Sequence, residues 1–348
     1  MSVVIDGETL TIDKVVEVAR NNANISLSDK SWQKINSCRE MLEEKINNHE
    51  IMYGITTGIG EFSEVTLGQD QTKEFQKLLI YSHAAGIGKP MDVEIVRGAM
   101  CGRINVHSKG HSGGRKEITE YLIEALNQDI TPVVCEKGSV GACGDLSPMS
   151  QIALALMGEG EMIVDGKAID SKKALNKIGL KPLELEARDG LALINGSNIL
   201  TALAAIVLYD AKKWMKLHDI AAAMTLEALI ANMKPYDKRI HELRGFSGSQ
   251  IIANNLNILT KDSEILFSGG KKVQDAYSMR STPQVAGTLR DSINYAVSQV
   301  EIELNGVGDN PIFLTDEKDV LTGANFQGSP VALPMEMVGT GLSMVAVL

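Results

Sequence analysis

The stretch ILTALAAIVLYDAKKWMKLHDIAAAMTLEALIANM, residues 199–233, contains neither glycine nor proline and repeats apolar side chains at helical spacing. That pattern predicts one or two long helices buried on much of their circumference. Further along, STPQVAGTLRDSINYAVSQVEIELNGV, residues 281–307, predicts another long helix. It should start near Thr282, carry Pro283 in its first turn and stop at Asn305-Gly306. Aromatic residues make up only 4% of the chain, which favours helix over sheet. The expected fold class is therefore mainly α, a long-helix bundle.

Two shorter stretches read differently. SVVIDGETLTIDKVVEVAR, residues 2–20, gives a strand, a turn at Asp6-Gly7 and a helix, so a small mixed α/β part precedes the helical body. GEMIVDGKAID, residues 160–170, carries a hairpin signal at Asp165-Gly166. The division expected is an N-terminal domain over 1–195 and a long-helix bundle over 196–348. The last stretch, GSPVALPMEMVGTGLSMVAVL, stops inside an apolar pattern without a polar closing turn. Either it packs against a partner or the chain is a truncated piece of something longer.

The 348 residues are 44% apolar, enough for a substantial core, and the net charge is −10. With lysines and arginines dispersed, no basic face for nucleic acid is evident. No uninterrupted apolar run reaches the roughly 20 residues of a membrane span, so no membrane partner and a cytoplasmic location are expected. The four cysteines, Cys38, Cys101, Cys135 and Cys143, form no CxxC pair. His107 and His111 lie four apart, but the nearby Gly110, Gly113 and Gly114 argue against a helix there, and no metal site is expected.

Chemistry concentrates in GSVGACGDLSPMSQIALALMGEGE, residues 138–161. A tight bend through Ala142-Cys143-Gly144 would press the Gly144 amide nitrogen onto the Ala142 carbonyl carbon. Glycine at the third position removes the Cβ that would obstruct closure. Ring closure with loss of water leaves an imidazolone, and departure of the Cys143 sulfur as hydrogen sulfide leaves a conjugated methylidene. Thiolate is a better leaving group than alkoxide, since thiols titrate near 8.5. Asp145 is placed to handle protons, and a helix starting near Leu146 to Pro148 would aim its positive end at the developing oxyanion. A plain turn, a phosphate cradle, a nucleophilic cysteine and a buried thiol remain alternatives for this stretch alone; a P-loop would require a following Lys-Ser/Thr, which is absent.

The same stretch resembles the signature of the aromatic amino-acid ammonia-lyase family, which includes histidine and phenylalanine ammonia-lyases and related aminomutases. Cys143 stands where that family has serine. Six further stretches resemble the family in the same order: YGITTGIGEFSEV at 53–65, YSHAAGIG at 81–88, LALINGSN at 191–198, VQDAYSMRSTPQVAG at 273–287, DNPIF at 309–313 and GANFQGSP at 323–330.

The resemblance implies the ammonia-lyase and fumarase-like bundle, a homotetramer with shared sites, and no external cofactor. The electrophile would be a 4-methylidene-imidazol-5-one made from Ala142, Cys143 and Gly144. Tyr53 would be the base that removes the β-proton. Because a phenol ordinarily titrates near 10, nearby donors must stabilise its phenolate. Asn195 and Tyr277 would bond to the reacting substrate, Arg280 would hold its carboxylate in a fork, and Gln274 and Phe326 would line the pocket. From the residues alone, Tyr53 as a loop anchor, Asn195 as a helix cap and Arg280 as a surface ion pair are the alternatives.

His83 suits a polar ring edge and points to L-histidine as the small-molecule aromatic substrate, giving urocanate and ammonia. Gln327 instead resembles the phenylalanine branch. Tyrosine or phenylalanine, handled by a lyase or a 2,3-aminomutase, is the alternative. An inactive or truncated relative with an assembly role is another.

Overall fold

The computed structural model describes residues 2–270 and 272–348. Contacts group the chain into two units, Met1–Ile206 with Val300–Pro330, and Val207–Gln299 with Val331–Leu348. This grouping differs from a division at 195/196 for two physical reasons. Leu200 donates its backbone N–H to Asp145, so the start of the long helix is tied to the first unit. The 300–330 segment also returns there: Asn305 accepts from the Leu10 backbone, and Asp309 bonds to Arg103 and Arg188.

The first unit opens as the sequence suggested. The strand Ser2–Ile5 leads into a turn in which the Asp6 carboxylate accepts from the Glu8 and Thr9 amides, with Gly7 at φ +85. Thr11 then caps the helix Ile12–Ala19. The strand Asn24–Leu27 follows and pairs in parallel with the first strand, register Val3 to Ile25, a pairing the local pattern did not specify. The expected hairpin forms between Glu161–Val164 and Lys167–Asp170, with Asp165 and Gly166 both at positive φ. Thr131–Pro132 adds a third strand, and an unanticipated hairpin pairs Ile312–Leu314 with Asp319–Leu321.

At the middle of this unit runs the helix Val93–Ser108, buried without interruption from Val96 onward. Such a helix has no solvent face for its polar residues, so each must find a partner. Arg97 donates to the carbonyls of Val18 and Leu126 and pairs with Asp129. Asn105 accepts from the Gly7 amide and donates to the Leu304 carbonyl. Arg103 Nε donates to His107 Nε2 at 3.1 Å, while His107 Nδ1 lies 2.9 Å from the Thr119 hydroxyl.

The second unit contains most of the long helix Asn198–Ala228, the helix Ser247–Thr260 and most of the helix Thr282–Leu304. The last begins at Thr282 as expected. Gly248 and Gly287 allow two of these helices to touch backbone to backbone, since a Cβ at 248 would lie 2.0 Å from the Gly287 carbonyl oxygen. Asp219 ties all three together, accepting from Asn255 at 2.7 Å and Arg290 at 2.9 Å.

Burial of the long helix is less complete than its pattern suggested. Leu203 and Val207 already reach solvent in its first half, and Trp214, Leu217, Ile220 and Met224 are exposed further along in the single chain. The helix Ser329–Val347 is long and apolar enough to cross a membrane by length and composition alone, although Glu336, Thr340 and Ser343 interrupt its apolar run.

Burial, reinforced by the Arg103 charge, pushes the His107 imidazole down to about 3. In the unfolded chain the ring would titrate near 6.5, so between those values the unfolded state holds the extra proton. The stability contribution is complete above about pH 6.5 and is lost as pH falls toward 3. His107→Gln should therefore flatten the fall in melting temperature between about pH 6 and 4.5, measured by circular dichroism. An unchanged slope would show that the ring does not contribute.

Candidate functional site

A cleft of about 570 Å³ in the first unit is lined by Tyr53, Cys143, Leu191, Asn195, Asn310 and Phe326, among others. Four residues picked out by their sequence stretches therefore share one cavity despite wide separation along the chain.

Tyr53 sits on a loop whose turns are tied to the Met52 carbonyl, which accepts from the amides of Ile55, Thr56 and Thr57. Gly54 is at φ +66, and a Cβ there would meet Leu191 at 2.6 Å, so the loop lies directly on the Asp189–Ile194 helix. Gln76, fully buried, joins the two by donating to the Gly54 carbonyl and accepting from the Leu191 amide. The Gly60 amide donates to the Tyr53 phenol oxygen at 3.1 Å. That N–H is the backbone donor that faces the phenol oxygen on this loop.

The Ala142-Cys143-Gly144 bend is clamped from below. Gly141 and Gly144 both have positive φ, and Gly144 bridges to Gly196. The Asp145 amide donates to the Gly196 carbonyl at 2.8 Å. A Cβ on Gly144 would lie 2.5 Å from the Gly196 carbonyl group, which restricts this position to glycine. Asp145 accepts from Ser139 Oγ and the Leu200 amide; burial raises its pKa, and those bonds oppose the rise. The helix Leu146–Leu156 starts immediately after, with Pro148 in its first turn.

Asn195 is both a helix terminus and a cleft residue. It ends the Asp189–Ile194 helix, and its Oδ1 is buried without a hydrogen-bond partner. A buried acceptor left open costs stability, so this atom is poised for a bound donor. The glycine-only bend fits a methylidene-imidazolone formed from residues 142–144, and the open Asn195 acceptor lines the same cleft.

Cys143 is half-buried at the cleft, whereas burial pushes the Cys38 and Cys101 thiols up to about 12. Of the four cysteines, Cys143 alone lines this cleft. His83 closes the Gln69–His83 helix, where its Nδ1 lies 2.9 Å from both the Leu79 carbonyl and the Ser82 hydroxyl; it is not among the cleft's lining residues.

The remaining site residues gather in the second unit. The Arg280 guanidinium lies 4.9 Å from the centre of the Tyr277 ring, and with Gln274 oriented to face it, the amide oxygen accepts from Arg280 Nε and Nη2 at 3.3 and 3.2 Å. Their loop is fixed by Asn232, which donates to the Lys272 and Val273 carbonyls and to the Asp275 carboxylate, and by Tyr236, which donates to the Met279 carbonyl.

The model of the family described as aromatic amino acid lyase matches residues 10–348. The chain belongs to that family. It is 42% identical over 345 residues to the histidine ammonia-lyase of Alkaliphilus oremlandii, an alignment covering 99% of this lyase and 68% of the relative. Among solved structures, the histidine ammonia-lyase of Trypanosoma cruzi superposes with a TM-score of 0.90 at 34% identity, covering 99% of this chain and 66% of that one. Tyrosine aminomutase from Streptomyces globisporus gives 0.94 at 34% identity, covering 100% and 69%. The main-α bundle is thus the ammonia-lyase fold.

Gly60 and Gln76 were not among the residues singled out from the sequence of this lyase. For Gln76 a signal existed: it falls on the same helical face as Thr72, Leu79 and Ile80, a polar side chain on a buried stripe. Gly60 contributes through its backbone and leaves no such mark.

Gly144→Ala would force a Cβ into the Gly196 carbonyl at positive φ. The variant should lose about 1–3 kcal/mol, seen as a fall in melting temperature, and its 138–161 peptide should keep its full mass. Wild-type stability in that variant would mean the Gly144–Gly196 contact is looser than described.

Proposed function

We propose that this lyase removes ammonia from L-histidine to give urocanate. The observation that carries the reading is its similarity to histidine ammonia-lyases, 42%, 41% and 39% identical across 98–99% of the chain. The cleft that gathers Tyr53, Cys143, Asn195 and Phe326 supports it. Ala142, Cys143 and Gly144 would form the methylidene-imidazolone, whose electrophilic carbon makes the substrate amino group a better leaving group.

The chain's own side chains divide the remaining work. Arg280, already bonded to Gln274 and stacked on Tyr277, presents its fork to the substrate carboxylate. Tyr53 takes the β-proton on its phenol oxygen, which the Gly60 amide holds in place at 3.1 Å. Asn195 offers Oδ1 as an acceptor for the substrate amine. Tyr277 assists proton transfer, Phe326 walls the cleft, and His83 meets the substrate ring. A homotetramer is supported by the apolar stripe Trp214, Leu217, Ile220 and Met224, which the single chain leaves exposed.

A second reading, a tyrosine 2,3-aminomutase, draws support from the Streptomyces structure, which matches this chain as closely in sequence as the Trypanosoma enzyme does. Intact mass followed by product analysis separates the readings. A mass deficit of one water plus one hydrogen sulfide, with urocanate from histidine, is expected; a β-amino acid from tyrosine would favour the mutase. An unmodified mass with no turnover of either would remove both. In the active protein, Tyr53→Phe should lower turnover by on the order of 10²–10⁴-fold while leaving the mass deficit intact.

A further inference from the structure

We propose that Arg103, fixed by Asp309, is a positioning residue for formation of the electrophile, the backstop against which Gly196 holds Gly144. The inference rests on the reading that residues 142–144 cyclise.

The bend rests on a layered contact. Gly144 lies on Gly196, as the missing room for a Cβ at 144 shows. Gly196 is itself pinned from the other side. A Cβ on Gly196 would lie 2.4 Å from the Gly308 carbonyl oxygen and 2.9 Å from Arg103 Nη1. Three backbone segments and one guanidinium are therefore stacked with no spare volume between them.

Arg103 has the contacts of a rigid stop. Its Nη1 donates to the Asn195 carbonyl, and also to Asn198 Oδ1 and the Gly308 carbonyl, both at 3.3 Å. Nη2 donates to Asp309 at 2.6 Å, and Nε to His107. Neither Arg103 nor Asp309 has any exposed side-chain surface. Arg103 thus fixes the Asn195-Gly196 peptide on one side and the Gly308-Asp309 peptide on the other. Its planar fork makes these bonds simultaneously, which a lysine ammonium on a single stem does not reproduce.

Ring closure needs that stop. The Gly144 nitrogen must bond to the Ala142 carbonyl carbon, and the Ala142 oxygen leaves as water with the amide hydrogens of Gly144 and Cys143. The Cys143 Cα proton and the Sγ with its hydrogen then leave as hydrogen sulfide. An amide nitrogen is a poor nucleophile, so its approach depends on geometry held by surrounding structure. Misplacing reacting atoms by about 1 Å costs on the order of a hundredfold in rate.

The test compares Arg103→Lys with Arg97→Lys. Both residues are fully buried arginines on the Val93–Ser108 helix, but Arg97 bonds to Val18, Leu126 and Asp129 and touches none of the stacked segments. Two readouts are taken. One is the rate at which freshly refolded chain loses mass. The other is amide hydrogen exchange at Asp145, whose N–H bonds to Gly196, in a Cys143→Ala background where no leaving group exists.

Arg103→Lys is expected to slow the mass loss by roughly ten- to a hundredfold and to speed Asp145 exchange, with Arg97→Lys changing neither. Equal effects of the two substitutions on both readouts would reduce Arg103 to a structural residue and overturn the proposal. A wild-type chain that never loses mass would defeat the electrophile reading, while the exchange comparison would still decide the role of Arg103. If Arg103→Lys fails to fold, Asp309→Asn, which keeps the shape and removes the charge, is read against the same control.

Discussion

One carboxylate with no access to solvent organises the first unit. Asp309 accepts from Arg103 through one oxygen and from Arg188 through the other, at 2.6 and 2.7 Å, and all three side chains are fully buried. Two cations around one anion leave a surplus positive charge in the interior, which burial makes costly. The surplus is met by backbone carbonyls: Arg103 reaches those of Asn195 and Gly308, and Arg188 those of Ser112 and Asn310. Two of the residues that bear these carbonyls, Asn195 and Asn310, line the cleft. Breaking either pair would strand a buried charge, so the same electrostatics that demand partners also fix the loops.

Periodicity and turn chemistry made much of the fold legible. The 282–304 helix has the predicted start, and the Asp165-Gly166 hairpin forms where two residues tolerant of positive φ follow a strand. The parallel pairing of Ser2–Ile5 with Asn24–Leu27 was not legible, because a short strand says nothing about which distant segment it will meet. The Ile312–Leu314 hairpin was missed for a different reason. Its connection, Thr315 to Lys318, lacks an Asn-Gly or Asp-Gly pair and turns through Lys318 at φ +53.

At the site the division is sharper. Tyr53, Cys143, Asn195 and Phe326 were readable because each sits in a distinctive stretch, and the structure puts all four on one cleft. The residues that hold them were not. Arg103 reaches Asn195 and Asp309 across sequence separations of 92 and 206 residues, and nothing in its own helical stretch of the sequence distinguishes it from Arg97. Chemistry leaves local marks; support against a distant backbone does not.

The discontinuity of the first unit gives the lyase a birth order. Gly144 emerges from the ribosome long before Gly308 and Asp309, and at about 5–20 residues per second the interval is roughly ten to thirty seconds. Throughout that interval Gly196 lacks Gly308 behind it, and Arg103 lacks the Asp309 carboxylate that fixes it. If residues 142–144 cyclise as proposed, a nascent chain would carry Cys143 as an ordinary thiol until the 300–330 segment has folded back, a maturation step that synthesis itself would postpone.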